Sequence, residues 1–222
     1  MLVRSKMVRA ASRRARSAAV VLAAASLAPA PAVAQAAVEI GPTVGYYAPL
    51  GNYDAALPST ANDLRGWTWG AQGRFWLTHR AGVLIEGSVR SSRFDGLPVP
   101  LPCVCCAPCI APPMSARLVQ VTVQAIVRPF SARSPLWLSA GAGVVRRSGQ
   151  AYADAGVGPP TSVAAAVGCG VDARLAGPIV ASLGITTLFY SLDGYTSGAY
   201  PGPGFQADLQ AHLGLSWRWG AR

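Results

Sequence analysis

Past its first 34 residues the chain has no lysine, its one Lys being Lys6. Charge of either sign is sparse, at 13% of the whole, and the remaining arginines are scattered among acids rather than clustered. A nucleic-acid surface needs a basic stripe or patch, so no nucleic-acid partner is expected. Long apolar runs are also missing: the uncharged stretch Leu175 to Leu192 is interrupted by Gly177, Pro178 and Gly184. A membrane-spanning helix needs about 20 consecutive apolar residues, which argues against a helical membrane protein. Nothing resembling an interdomain linker divides the chain either, so one domain is expected.

Basic charge is concentrated at the N-terminus, where Arg4, Lys6, Arg9, Arg13, Arg14 and Arg16 precede the apolar run Ala18 to Ala28. This is the layout of a secretory signal peptide. Pro29 and Pro31 end the run, and Ala32-Val33-Ala34 or Ala34-Gln35-Ala36 supplies the small residues of a cleavage site. The expected boundaries are 1–34 for the signal peptide and 35–222 for the exported domain. Arg13-Arg14 is similar to a twin-arginine signal, but Ala15 and Arg16 follow where an apolar continuation belongs, so general secretion fits better. Removing the segment's six positive charges from the chain's +10 leaves +4.

What the rest of the chain does contain is alternation. From Phe205 to Trp219, Phe205, Ala207, Leu209, Ala211, Leu213, Leu215, Trp217 and Trp219 interleave with Gln206, Asp208, Gln210, His212, Ser216 and Arg218. Period two is a strand with one oily and one polar face, long enough for the 9 to 11 or so tilted residues a membrane crossing needs. The same test predicts seven more strands: Val38–Tyr47, Trp67–Thr78, Val83–Ser92, Leu118–Arg128, Leu136–Arg147, Val163–Leu175 and Ile179–Tyr190. Pro42 is an irregularity in the first, since it cannot donate to a ladder. Connections after the even strands are tight, at His79-Arg80-Ala81, Pro129 to Pro135 and Ala176-Gly177-Pro178. Those after the odd strands are long and hold most of the Pro, Asn and Asp turn residues. Short turns on one rim and long loops on the other is the asymmetry of an outer-membrane barrel, with both termini on the short-turn side.

On Val44-Gly45-Tyr46-Tyr47-Ala48-Pro49-Leu50-Gly51, the alternating strands and the aromatic closing strand, the chain resembles the small eight-stranded outer-membrane barrels of the OmpA type over residues 37 to 219. The resemblance implies an all-β, eight-stranded, antiparallel up-and-down transmembrane barrel in the outer membrane, with outer-membrane lipid and the barrel-assembly machinery as partners. It carries no residue-level functional motif. Two departures stand out: Gly220-Ala221-Arg222 follow Trp219 where the family usually ends on an aromatic, and the chain stops where OmpA continues into a peptidoglycan-binding domain. A cell-wall tether is therefore not expected.

Alternation alone does not say which face is outside, because a soluble lipocalin-like barrel has the same period with the opposite polarity. Aromatics near strand ends (Tyr46, Trp67, Trp69, Trp217, Trp219) point to a membrane interface, and long loops on one rim agree. A polar interior needs paired charges. Arg74 and Glu86 lie symmetrically about Arg80, so a simple hairpin would set them face to face, and barrel closure would bring Glu39 to Arg218. Arg90, Asp172, Arg174, Asp208 and His212 are candidates to extend that network. Eight strands enclose only enough room for side chains, so a filled interior is expected rather than a general pore.

Candidate chemistry is confined to two places. Cys103, Cys105, Cys106 and Cys109 crowd the longest loop with two overlapping C-x-x-C spacings. Export favours local disulfides over a metal or redox site, since a zinc site draws its second ligand pair from a distant segment and neither His is placed to help. Cys169 falls on the apolar face. His212 and Asp208 raise the idea of a hydrolase, but residues four apart on a strand are about 13 Å apart, beyond hydrogen-bond reach. A barrel phospholipase would need its His on the lipid face, where none falls. No catalytic residue, cofactor or metal is expected, and the long loops, Tyr195 to Gly204 among them, are the expected contact surface for an extracellular partner. The alternatives are a narrow transporter of small or hydrophobic solutes and a lipid-modifying barrel enzyme.

Overall fold

The computed structural model describes residues 36–50, 65–94, 114–149, 161–192 and 204–220. They form eight strands: β1 Ala37–Pro49, β2 Gly66–Trp76, β3 Ala81–Phe94, β4 Met114–Val127, β5 Leu136–Ser148, β6 Thr161–Arg174, β7 Ile179–Leu192 and β8 Gly204–Gly220. Each strand pairs antiparallel with its sequence neighbour, and β1 closes on β8. The result is a closed eight-stranded up-and-down barrel. Most strands run further toward the long-loop rim than alternation alone indicated: β4 begins at Met114 rather than Leu118. Both ends of the barrel meet at the short-turn rim, where Ala37 stands opposite Gly220.

Local chemistry sets the joints. In the β2–β3 turn, the Thr78 hydroxyl accepts hydrogen bonds from the backbone N–H groups of Arg80 and Ala81, at 3.2 and 2.9 Å. Ala81 is thereby the first residue of β3 instead of part of the turn. The hairpin pivots on residue 79, and the register places Arg74 opposite Leu84 and Gln72 opposite Glu86. The expected Arg74–Glu86 pair is therefore corrected by two residues. Gly177 turns the β6–β7 hairpin with φ of 54°, a backbone conformation that side chains with a Cβ adopt only with strain. Pro42 costs the β1–β8 ladder a rung: the register runs through Ile40–Trp217 and Thr43–Gly214, and Gly41 and Pro42 between them have no ladder partner on β8.

Side-chain parity separates two environments. Ile40, Val123, Val167, Leu183, Ile185, Leu213 and Leu215 project outward and are exposed. Glu39, Glu86, Asp172 and Asp208 are the acids among the described residues, and all four sit at lumen-facing positions. This is the polarity of a barrel in lipid and the reverse of a lipocalin. In water such an apolar belt would be a large aggregation-prone patch, whereas hydrocarbon solvates it.

The lumen is filled by setting large side chains against glycines on the same or nearby strands across the barrel. A Cβ on Gly184 would come within 2.5 Å of His212 Nε2 and 2.9 Å of Trp137 Cη2, and one on Gly214 within 2.5 Å of Gln72 Nε2. Two apolar clusters cap the filling. Ala37, Trp76, Leu84, Ile126 and Trp137 pack near the short turns, and Tyr47, Leu118, Val145, Ala164, Ala166, Leu188 and Tyr190 pack near the long loops.

Overpacking of this kind costs about 1–3 kcal/mol. Gly184→Val is expected to lower the unfolding free energy of the detergent-refolded barrel in urea titration by that amount, while Ala165→Val, on the exposed outer face, leaves it unchanged. An equal effect of the two substitutions would contradict the lumen packing.

Candidate functional site

The concentration of polar chemistry lies in the lumen, as three connected layers. At the short-turn end, β1 and β2 set Glu39 directly opposite Arg74, and β1 and β8 set Glu39 opposite Arg218. Arg74 Nη1 lies 2.6 Å from Asp172 Oδ1 and 3.6 Å from Glu39 Oε2. Arg218 Nε stands 3.4 Å from Glu39 Oε1, and Arg128 Nη2 stands 3.3 Å from Asp172 Oδ2. Asp172 also accepts a 3.1 Å hydrogen bond from the Trp137 indole. It is the hub of the layer, touching three strands. Glu39 is fully buried, and its two oxygens are held by ion-pair attraction without hydrogen-bond geometry.

In the middle layer, Gln72 donates to the hydroxyls of Ser182 at 2.8 Å and Ser216 at 3.0 Å, bridging from β2 to β7 and β8 across the lumen. Ser139 donates to Gln124 at 2.7 Å. Glu86, released from the expected partner, lies 3.2 Å from His212 Nδ1 and accepts from Thr186 at 3.4 Å. His212 stacks against Trp137, with ring centroids 6.4 Å apart.

At the long-loop end, Tyr190 donates its hydroxyl proton to Asp208, which also accepts from Gln206 at 2.8 Å. Arg90 donates to the Arg65 carbonyl at 2.6 Å. Arg174 lies apart from all three layers. It is exposed at the short-turn mouth and makes no ion pair among the described residues.

Sequence reasoning missed the aromatic half of this arrangement. Arg128 lies over Trp76 at 4.0 Å, Arg147 over Tyr190 at 4.7 Å, Arg74 over Trp137 at 4.9 Å and Arg90 over Tyr47 at 5.5 Å. The signal was available: Trp76 has the parity of Arg74, and Trp137 that of Ser139. Tyr47, Trp76, Trp137 and Tyr190 are not among the expected interface aromatics, and these four point inward. Tyr46, Trp67, Trp69, Trp217 and Trp219 do point outward and are exposed. Tyr46 packs edge-on against Trp67 at 5.8 Å near the long loops, and Trp217 lies 6.4 Å from Trp219 near the short turns.

Chemically, the lumen is a structural network of ion pairs and hydrogen bonds in which some buried atoms, Glu86 Oε1 and both His212 ring nitrogens among them, lack a hydrogen-bond partner. His212 lies against Glu86, and Asp208 is bonded by Tyr190 and Gln206, so the two do not meet. His212 is 2% exposed, which keeps it from any lipid ester. Cys169 is exposed on the outer face. Cys103, Cys105, Cys106 and Cys109, the loop from Tyr195 up to Pro203 and the signal segment 1–34 lie outside the described residues.

No family model matches the chain, and no curated protein matches it. Its similarity is to solved structures. The crystal structure of the outer membrane protein OprG from Pseudomonas aeruginosa aligns with a TM-score of 0.50 at 11% identity, covering 85% of this chain and 97% of that one. Ail of Yersinia pestis, in complex with the heparin analogue sucrose octasulfate, aligns with 0.44 at 14%, covering 84% and 99%. Outer membrane protein AlkL in DMPC bilayers aligns with 0.37 at 12%, covering 87% and 96%. The fold is that of the small eight-stranded outer-membrane barrels.

Removing one partner of a buried ion pair costs about 3–5 kcal/mol, because the remaining charge is stranded. Asp172→Asn is expected to destabilise the refolded barrel on that scale in urea titration. Glu39→Gln should act in the same direction, and a Glu39→Leu/Arg74→Leu pair should recover part of the loss. Recovery of none of it would show that the two residues do not act as a pair.

Proposed function

We propose that this outer-membrane barrel serves a structural or loop-mediated interaction role and conducts no solute. The observation that carries the reading is the filled lumen: a polar layer bonded strand to strand, closed by an apolar cluster toward each mouth. A conduit would need a continuous wet path, and an eight-stranded interior has room for side chains alone. A surface for an extracellular partner is offered by the rim of long connections. Their contact with an extracellular partner, like the local disulfides proposed for Cys103, Cys105, Cys106 and Cys109, is a reading of composition and location.

The transporter alternative requires the lumen to open. The enzyme alternative requires His212, sequestered between Glu86 and Trp137, to reach a lipid.

Purified, refolded protein is expected to show heat-modifiable migration from an outer-membrane fraction and no unitary conductance or solute uptake in bilayers. Conductance or uptake would establish the transporter reading instead. Lipid turnover that disappears in His212→Ala would establish the enzyme reading. Lipid exposure itself has a direct test. Val123→Arg, mid-belt on β4 with its side chain 54% exposed, should cost about 2–4 kcal/mol in a bilayer-refolding titration. On a water-facing surface the same change would be close to neutral.

A further inference from the structure

We propose that the short-turn mouth of the barrel is a binding site for a phosphate-bearing anion. A cavity of about 380 Å³ opens there, lined by Arg128, Arg133, Arg174 and Arg218 together with Asp172 and Ser134. The arginines come from separate parts of the chain: Arg128 just past β4, Arg133 in the β4–β5 turn, Arg174 at the end of β6 and Arg218 near the end of β8. Convergence of four guanidiniums on one concavity is therefore a product of barrel closure and was invisible as a cluster in the sequence.

The acids at this end are already committed. Asp172 is held by Arg74 and Arg128, and Glu39 by Arg74 and Arg218. Arg133 and Arg174 make no ion pair among the described residues, and both are exposed to the cavity's solvent. Arg128 and Arg218 add their charge at the wall, with Arg218 Nε turned to Glu39 at 3.4 Å. Positive charge at the mouth thus exceeds what its carboxylates neutralise, and the exposed guanidiniums of Arg133 and Arg174 adjoin an open volume. Guanidiniums bind phosphate oxygens through paired, charge-assisted hydrogen bonds, and several of them converging suit an anion with three or four acceptor oxygens better than a planar carboxylate.

Behind the cavity wall the lumen is packed. Arg128 lies over Trp76 at 4.0 Å, and Trp76 belongs to the buried apolar cluster with Leu84, Ile126 and Trp137. An anion entering from the short-turn side meets guanidiniums at the wall and an apolar stop behind them. The cavity has more room than a bare oxyanion fills, so a substituted phosphate is accommodated. Two sources share that chemistry: a soluble phosphate ester and the headgroup of a lipid in the adjoining leaflet.

The test uses the full refolded chain in a neutral detergent, titrated calorimetrically with inorganic phosphate and, separately, with dihexanoyl phosphatidic acid. Arg133→Gln/Arg174→Gln removes the two exposed, unpaired arginines and should leave the heat-modifiable shift intact. Arg117→Gln/Arg146→Gln removes the same charge from exposed positions toward the long-loop rim. Saturable one-to-one binding that falls at least tenfold in the first pair and is unchanged in the second is expected. Tighter binding of the phosphatidic acid than of phosphate would identify a lipid headgroup as the source, and equal binding a soluble phosphate. Absence of saturable binding by both probes, or an equal loss in the two variant pairs, would overturn the proposal.

Discussion

Hydrocarbon offers no hydrogen-bonding partner, and the rest of the structure depends on that constraint. Every backbone N–H and C=O that crosses the membrane must be satisfied within the protein, which for strands means closing the sheet so that no edge remains. Here the closure is β1 on β8, continuous except where Pro42 has no N–H to give. Once eight strands close, the radius is set, and with it the volume of the lumen. Period two then assigns every second residue to one of two incompatible solvents. The chain's scarcity of charge and its alternation are two aspects of the same requirement.

A polar lumen of fixed width cannot be left wet and loose, since a buried charge without a partner costs several kcal/mol. The structure meets this by sharing. Asp172 serves Arg74, Arg128 and the Trp137 indole, and Glu39 serves Arg74 and Arg218. Four arginines gain an aromatic face in addition, a contact worth about 0.5–2 kcal/mol depending on desolvation. Aromatic rings do double duty in this setting: they occupy volume that water would otherwise enter, and they stabilise cations that outnumber the acids. The glycines opposite Trp137, His212 and Gln72 are the geometric counterpart, because a narrow barrel admits a large side chain only where its neighbour has none.

Most of the architecture was legible because alternation is a property of adjacent residues. Strand number, order, the two kinds of connection and the inward face of Glu39, Asp208, His212 and Arg218 all follow from parity. What failed needed information that parity does not carry. The Arg74–Glu86 pairing turned on which residue centres a hairpin, and Thr78 moved that centre by capturing two N–H groups through its hydroxyl. A shift of one residue in the centre moves every cross-strand partner by two, which preserves the face and changes the neighbour. Trp76 and Trp137 are legible by parity as lumen residues, but parity does not say which cation each ring will meet. The position decides, since Trp76 shares its face with Arg74 whatever its own hydrophobicity.

The division of the lumen into layers also limits where function can reside. Two apolar clusters, one toward each mouth, isolate the Gln72, Gln124, Glu86 and His212 layer from both solvents. Residues in that layer can hold the fold but cannot meet a ligand without opening a cluster of packed side chains. Contact with the outside is left to the outward-facing belt and the two rims, and the rims differ in kind. One carries the four long connections of the sequence. The other is formed by three tight turns and the paired chain ends, fixed by hydrogen bonds such as Ile179 N to the Ala176 carbonyl at 3.0 Å and Arg218 N to the Pro178 carbonyl at 2.8 Å. Rigid backbone holds charged groups at constant separation, which is the condition for recognising a small ion. The short-turn rim therefore meets that condition, with packed side chains behind it along the barrel axis.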